Sequence, residues 1–278
     1  DHRDLHLSIR RQRQMCIRDR LRGVIVLSGN DASITLAEHV AGGEAEFAYM
    51  MNEKARRLGL RNTNFVNATG LPSDNHYSTA NDLARLTIEL IKNHPNHYEI
   101  YAERSFEYNG INQTNRNKLL WRDLSVDGVK TGYTKKAGYC LIASAERDGM
   151  RLVSVVLGAS SDQDRMKESQ KLLSFGFRNF DTQLLYKANS EITRLKVYYG
   201  KSDAMSIVAP TDVYVTAPRG DLESAVTELS VPKHLKAPIN KNDVIGSLSV
   251  VIPGEDEVMF ETEVLTDDEI REANCLLY

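Results

Sequence analysis

The pattern of apolar positions divides the chain into two halves that meet near residue 180. In the first half, apolar residues recur at helical spacing in two stretches. One stretch ends at Gly59, a residue type that commonly ends helices, and the other follows Ser78 or Thr79, either of which can cap a helix. We therefore predict two amphipathic helices on these apolar positions: Phe47, Met50, Met51 and Leu58, then Leu83, Leu86, Leu90 and Ile91.

Strand patterns follow the second helix. Residues 139–145 and 152–157 flank Asp148-Gly149, a dipeptide typical of tight β-hairpin turns. Residues 127–131 lead into this hairpin, and residues 163–175 return to helical spacing. Helices, then antiparallel strands, then another helix within one core predict an α+β domain whose helices pack on an antiparallel sheet.

The second half of the chain consists almost entirely of predicted strands and turns. The runs 195–199, 213–216, 225–231, 244–252 and 258–264 are short and bounded by Gly, Pro, Asn or Asp. Short strands at such spacing favour a small all-β sandwich. We place the domain boundary near Asp181, which gives a first domain over residues 21–180 and a second over 181–274.

Both ends of the chain look foreign to a folded protein. Residues 1–20 carry six arginines without any hydrophobic period, and they resemble a translated sequencing-library adapter. Residues 275–278 fit the opposite strand of the same adapter. We therefore expect non-native residues at 1–20 and 275–278 and exclude them from fold reasoning. A natural basic arm at the N-terminus is the alternative.

Composition and charge suit a globular protein and exclude some functions. Apolar residues make up 41% of the chain, and the formal net charge is -3. Without residues 1–20, which hold six of the 35 Lys and Arg and three of the 38 Asp and Glu, the net charge is about -6. No basic stripe suggests a nucleic-acid partner, and no apolar run is long enough to span a membrane. Cys140 is the one cysteine outside the foreign ends, so no disulfide framework, metal site or other cofactor is predicted.

Two tripeptides are candidate catalytic motifs. Ser28–Asn30 (SGN) follows an apolar run and precedes a helical stretch, and Lys130–Gly132 (KTG) begins the three-strand segment. Each tripeptide alone is ordinary turn or strand-edge sequence. In this order, however, they match the second and third motifs of serine acyl-transfer enzymes whose first motif is Ser-x-x-Lys.

With these motifs in place, the chain resembles the serine D-alanyl-D-alanine carboxypeptidases, which are the low-molecular-mass penicillin-binding proteins of peptidase family S11. The resemblance covers essentially all of residues 21–274. It implies a partial penicillin-binding/β-lactamase-like transpeptidase domain followed by the family's β-rich C-terminal domain. The segments that carry it are RGVIVLSGNDASITLAEHVAG, TNFVNATGLP, HYSTANDLARL, NRNKLL, VDGVKTGYTKKAGYCLIASA, GMRLVSVVLGA, YVTAPRG and LKAPINKNDVIGSLSV.

One departure from the family pattern is large. The family's Ser-x-x-Lys motif should lie well upstream of Ser28, yet no lysine occurs before Lys54. The only Ser-x-x-Lys in the chain is Ser230–Lys233, which lies in the β-rich half and contains a proline. We therefore expect the nucleophilic serine and its general-base lysine to be missing from this chain, which should be inactive by itself. A signal peptide and a C-terminal amphipathic anchor helix are expected to be missing too.

The resemblance implies roles for three catalytic positions that remain. Ser28 would relay a proton between the catalytic lysine and the leaving D-alanine amine. Asn30 would hydrogen-bond the substrate's amide backbone and orient the catalytic lysine. Lys130 would fix Ser28 electrostatically and attract the substrate carboxylate.

The resemblance also implies a set of substrate-binding positions. Thr131 would bind the substrate carboxylate, and Gly132 would let the substrate strand approach closely. The backbone N–H of Tyr133 would be one oxyanion donor. Arg165 would make a second carboxylate contact, and the alternative is a solvated residue at the start of a helix.

The implied reaction removes the terminal D-alanine from peptidoglycan pentapeptides through an acyl-serine intermediate. β-Lactams would acylate the same serine of the intact enzyme. A serine β-lactamase is one alternative, although those enzymes usually lack a β-rich second domain. A non-catalytic cell-wall binding protein on the same fold is another alternative. The resemblance further implies a periplasmic protein, peripheral to the inner membrane and held there by the anchor.

Overall fold

The computed structural model describes residues 17–253 and 258–273. The chain forms two compact units that divide between Gly176 and Phe177, close to the predicted boundary at Asp181. Most of the segments predicted to be foreign, residues 1–16 and 275–278, lie outside the described residues. The foreign origin of residues 1–20 therefore stays a prediction.

The first unit contains the α-helices of the described residues, apart from the last three residues of the final helix. Both predicted helices are present: one ends just before Gly59, which has a positive φ of 70°, and the other begins after Thr79. The Thr79 hydroxyl accepts the Asp82 backbone N–H at 3.2 Å, which confirms the predicted cap. The helices are α1 (residues 17–27), α2 (Asn30–Ala41), α3 (Glu44–Arg57), α4 (Ala80–Asn93), α5 (Pro95–Tyr98), α6 (Leu119–Arg122) and α7 (Asp162–Asn179).

A three-stranded antiparallel sheet completes this unit. It consists of β3 (Val126–Thr134), β4 (Gly138–Arg147) and β5 (Met150–Ala159), in that spatial order. Asp148 and Gly149, both with positive φ, form the predicted two-residue turn between β4 and β5. A separate hairpin of β1 (Ser105–Tyr108) and β2 (Ile111–Thr114) was not predicted. Its strands are mostly exposed and lack a buried face, so hydrophobic alternation gave no signal there.

The core of the first unit lies between the sheet and its helices. Leu141, Ala143 and Ala145 of β4 are fully buried. Gly176 lets α7 approach β5, because a Cβ at this position would lie 2.4 Å from a methyl group of Leu152. This arrangement confirms the predicted α+β class, with helices packed on an antiparallel sheet.

The second unit is all-β, as predicted. A six-stranded sheet has the order β10-β12-β13-β8-β7-β11, and β6 pairs with β9 in a second sheet. Side chains from both sheets share one core, in which Ile207, Val213, Leu248 and Val264 are almost completely buried. The strands are β6 (Phe180–Tyr186), β7 (Glu191–Tyr198), β8 (Ala204–Val208), β9 (Val213–Pro218), β10 (Val226–Ser230), β11 (His234–Lys236), β12 (Val244–Val251) and β13 (Val258–Thr266).

Of the helices that the structure describes, none has the length and apolar character needed to cross a membrane.

Candidate active site

Ser28 lies in a two-residue turn between α1 and α2. Its φ of 59° is in the left-handed region, which is uncommon for residues other than glycine. The turn is closed by two backbone hydrogen bonds, from Ser28 N–H to Val24 O at 3.1 Å and from Gly29 N–H to Gly23 O at 2.9 Å. Because both helices flank the turn directly, the position of the Ser28 side chain is set by rigid elements on both sides.

Lys130 connects the KTG motif to the SGN motif. Its Nζ donates a hydrogen bond to Ser28 Oγ, across 102 residues of sequence, and another to the Thr131 carbonyl oxygen at 3.0 Å. Strand β3 carries Lys130, whereas the turn between two helices carries Ser28. The structure therefore joins the two tripeptides into one polar site.

The Lys130 amine is held in an environment that disfavours its charge. Burial is the main cause, and the positive charges of Arg116 and Arg165 add to it, so the pKa of Lys130 falls from its ordinary value of 10.5 to about 8. The amine is therefore mostly protonated at pH 7, but it loses its proton near pH 8, well below the pH at which an exposed lysine does. Such an amine can exchange a proton with the Ser28 hydroxyl that it contacts.

Arg116 is a site residue that sequence reasoning missed. Its Nε donates to the Leu27 carbonyl oxygen at 3.2 Å, at the end of α1, and its charge acts on Lys130. The residue lies in the segment NRNKLL, which belongs to the resemblance, but its type and position carried no separate signal. Its proximity to Ser28 arises only from the tertiary fold.

A cavity of about 510 Å³ opens beside Ser28. Ser28, Gly29 and Arg116 line it, together with Phe106 and Tyr108 of the β1–β2 hairpin. A space of this size, lined by both polar groups and aromatic rings, can admit a small peptide-like ligand.

Apart from Arg165, the other predicted residues of this site lie within three residues of Ser28 or Lys130 along the chain. Asn30 is the exposed first residue of α2, and Thr131, Gly132 and Tyr133 continue β3 beyond Lys130. Within the described part of the chain, β3 has a neighbouring strand on one side only. The Tyr133 ring is 56% exposed and packs on the Tyr139 ring at 4.3 Å. An edge strand of this kind can receive an extended peptide by strand addition.

Arg165 lies beside the same strand, but it is buried. Its Nη1 donates to the carbonyl oxygens of Gly132 and Cys140, at 3.0 and 3.1 Å, and its Nη2 pairs with Asp162. The residue is 6% exposed, so the alternative of a solvated residue at a helix start is wrong. The structure thus places Arg165 as a link between α7 and the sheet, and its contact with a substrate carboxylate stays a prediction.

Comparison with known protein families gives two matches. Residues 2–161 match the family described as D-alanyl-D-alanine carboxypeptidase. Residues 180–272 match the C-terminal domain of penicillin-binding protein 5. The first match takes in most of the segment that we predict to be foreign, and the two matches together cover both units.

Individual relatives agree with these matches. D-alanyl-D-alanine carboxypeptidase DacA of Haemophilus influenzae is 41% identical over 257 residues, which are 91% of this chain and 65% of the relative. The structure of penicillin-binding protein 5 from Haemophilus influenzae superposes with a TM-score of 0.79 at 40% identity, over 90% of this chain and 73% of that one. Cefotaxime-bound penicillin-binding protein D2 of Listeria monocytogenes gives 0.55 at 38% identity, over 58% and 66% of the two chains.

The chain thus spans somewhat less than two thirds of the length of the Haemophilus carboxypeptidase that it matches. Since the family match covers residues 2–161 and the order of its two units follows that of the relatives, the chain belongs to the D-alanyl-D-alanine carboxypeptidase family, peptidase family S11.

Proposed function

We propose that this chain contributes Ser28 and Lys130 to one side of the active site of a D-alanyl-D-alanine carboxypeptidase. This enzyme removes the terminal D-alanine from peptidoglycan pentapeptides. The observation that carries the proposal is the hydrogen bond from Lys130 Nζ to Ser28 Oγ. An amine with a lowered pKa, in contact with a hydroxyl, provides the proton route that acyl transfer through a serine requires.

The nucleophile of this reaction has to come from a further segment. The only Ser-x-x-Lys in the sequence begins at Ser230, the last residue of β10, in the all-β unit, whereas Ser28 and Lys130 belong to the first unit. We therefore propose that the longer protein supplies the serine and its lysine beside Ser28. The serine Oγ then forms an ester with the substrate's penultimate residue, the D-alanine amine leaves with a proton passed through Ser28, and water hydrolyses the ester.

The surrounding residues take part in substrate binding. Asn30, exposed at the start of α2, donates to the peptide backbone of the substrate, and Thr131 binds its terminal carboxylate. Tyr133 contributes a backbone N–H to the developing oxyanion, and Gly132 leaves room for the substrate strand at the open edge of β3. Arg165 supplies positive charge behind this strand.

The same site would react with β-lactams, since cefotaxime occupies a related penicillin-binding protein at 38% identity. The substrate is cell-wall peptidoglycan, so we propose a periplasmic protein attached peripherally to the inner membrane through a C-terminal anchor. A match to the C-terminal domain of penicillin-binding protein 5 supports the carboxypeptidase over a serine β-lactamase.

Fluorescent penicillin labelling of the full-length protein, combined with D-alanine release from a pentapeptide, tests this proposal. We expect a covalent adduct and D-alanine release, both lost in Lys130→Met and kept in Lys92→Met, a control at an exposed lysine on α4. Adduct turnover without release would indicate a β-lactamase, and no adduct would indicate a non-catalytic binding protein. The 278-residue chain alone should form no adduct, and a stable covalent band would refute the missing-nucleophile proposal.

A further inference from the structure

Strand β3 contains one extra residue just before the KTG motif. Val126 pairs with Ala145 and Gly128 pairs with Ser144, so Asp127 has no partner on β4 and forms a β-bulge. A bulge shifts the alternation of all following side chains by one residue relative to the partner strand. The position at which Lys130 pairs with β4, opposite Ile142, therefore depends on this extra residue.

Two side chains from outside β3 hold the Asp127 carboxylate. The Tyr98 hydroxyl donates to Oδ1 at 2.9 Å, and Arg151 Nη1 donates to Oδ2 at 2.7 Å. Arg151 also donates to Ser144 Oγ at 2.8 Å and lies over the Tyr98 ring, 5.7 Å from its centroid. Burial raises the pKa of Tyr98, so the hydroxyl keeps its proton and remains a donor. The bulge is thus tied to α5 and β5 at once.

The residue after the bulge is fixed as well. A Cβ on Gly128 would lie 2.4 Å from the Tyr98 hydroxyl oxygen, so no larger residue fits without displacing Tyr98. The Gly128 carbonyl oxygen accepts a hydrogen bond from Asn117 Nδ2 at 3.0 Å, and Asn117 is 1% exposed. Since β3 has a neighbouring strand on one side only among the described residues, these contacts replace the support that a second strand would give.

We infer that Asp127 is a positioning residue for Lys130: its carboxylate, held by Tyr98 and Arg151, fixes the bulge that aims the Lys130 ammonium group at Ser28. Removal of the bulge would move Lys130 by one position along β4, away from the register in which it contacts Ser28. The inference rests on the proposed function for its biological meaning, because it concerns the orientation of a lysine in the proposed acyl-transfer site.

The Lys130 pKa distinguishes positioning from a simple charge effect. Removing the negative charge of Asp127 could by itself only lower the pKa of Lys130 or leave it unchanged, because an anion favours the ammonium form. Losing the buried orientation would instead raise it from about 8 towards the ordinary value of 10.5. A rise in the Lys130 pKa is therefore expected if Asp127 positions Lys130, and it is not expected if Asp127 acts through its charge alone.

The test is a titration of lysine side chains by NMR on the 278-residue chain labelled at lysine Cε and Nζ. In Asp127→Ala and in Tyr98→Phe we expect the Lys130 pKa to rise by about 1 or more. Asp123→Asn is the matched control, since Asp123 also pairs with an arginine, Arg147 at 2.6 Å, but lies ahead of β3. We expect Lys130 to titrate in this control as in the parent chain.

Each outcome decides the inference. An unchanged or lowered Lys130 pKa in both variants, with unfolding midpoints like that of the parent chain, would overturn it. If Asp127→Ala does not fold, Tyr98→Phe alone decides, because it removes one hydroxyl and leaves the carboxylate and Arg151 in place.

In the full-length protein, Asp127→Ala should slow penicillin acylation about tenfold or more. Absence of labelling in the parent protein would refute the proposed function, whereas the titration would still test the positioning role.

Discussion

Replacing Lys130 by methionine should change how stability depends on pH. In the folded protein, burial and the charges of Arg116 and Arg165 lower the Lys130 pKa to about 8, from an ordinary value of 10.5. Below pH 8 the folded protein must hold a charged amine in an unfavourable place. Between pH 8 and 10.5 the folded chain has released a proton that the unfolded chain still binds, so stability rises with pH in this window. Methionine has similar length and no titration.

The expected magnitude follows from this difference in pKa. Over the range from pH 7 to pH 10, the parent protein should gain about 2.5 kcal/mol of unfolding free energy relative to Lys130→Met. The variant also loses the hydrogen bonds from Lys130 to Ser28 and to the Thr131 carbonyl, worth about 1 kcal/mol each. We therefore expect Lys130→Met to be about 1 kcal/mol more stable than the parent at pH 7 and about 1.5 kcal/mol less stable at pH 10.

Urea unfolding followed by the fluorescence of Trp121 measures this crossover. Trp121 is the only tryptophan in the sequence and lies on α6, in the same unit as Lys130, so its signal reports that unit. Ser28→Ala is the matched control, since it removes one hydrogen-bond partner but keeps the amine, and its stability should still rise with pH. A stability difference between Lys130→Met and the parent that stays constant from pH 7 to pH 10 would refute the reasoning.

Three further predictions follow from single side chains. Arg116→Gln should raise the Lys130 pKa, measured by lysine NMR, because one of the cations that disfavour its charge is gone. Gly246→Ala should lower the unfolding free energy of the all-β unit, measured by circular dichroism in urea. The added Cβ would lie 2.0 Å from a backbone oxygen of β10. Leu141→Ala, at a fully buried position, should lower the free energy of unfolding by about 2–5 kcal/mol in the Trp-fluorescence assay. Leu124→Ala, at a position that is 86% exposed, should lower it by about 0.5 kcal/mol or less.

Sequence patterns predicted the elements whose signals are local. Asp148-Gly149 and its alternating flanks specify the β4–β5 hairpin without help from the rest of the fold. Asn109-Gly110 carries a similar turn signal, and both residues have positive φ, but the flanking strands have no buried face to accompany it. The short parallel strand β11 is likewise invisible in the sequence, because three residues are too few to show alternation.

The sequence predicted the two motifs of the site but not the residues that surround them. The order of SGN and KTG indicated that Ser28 and Lys130 act together, and the structure places them in hydrogen-bond contact. Arg116 could not be found in this way, since it meets Lys130 only after α1 and β3 have packed. The bulge at Asp127 was also hidden, because the predicted strand began at this residue and alternation gives no sign of an unpaired position.

The environment that lowers the Lys130 pKa also bears on the proposed binding of a substrate carboxylate. Lys130, Arg116 and Arg165 bring three cationic side chains together, and the acid that pairs with Arg165, Asp162, lies at the start of α7. Burial is the main cause of the lowered Lys130 pKa, and the positive charges of Arg116 and Arg165 add to it, so the protonated amine destabilises the folded protein at neutral pH. A substrate carboxylate bound beside Lys130 would supply the missing negative charge and raise that pKa again. Carboxylate binding and protonation of Lys130 are therefore linked, and affinity for the carboxylate should weaken as the pH rises above about 8.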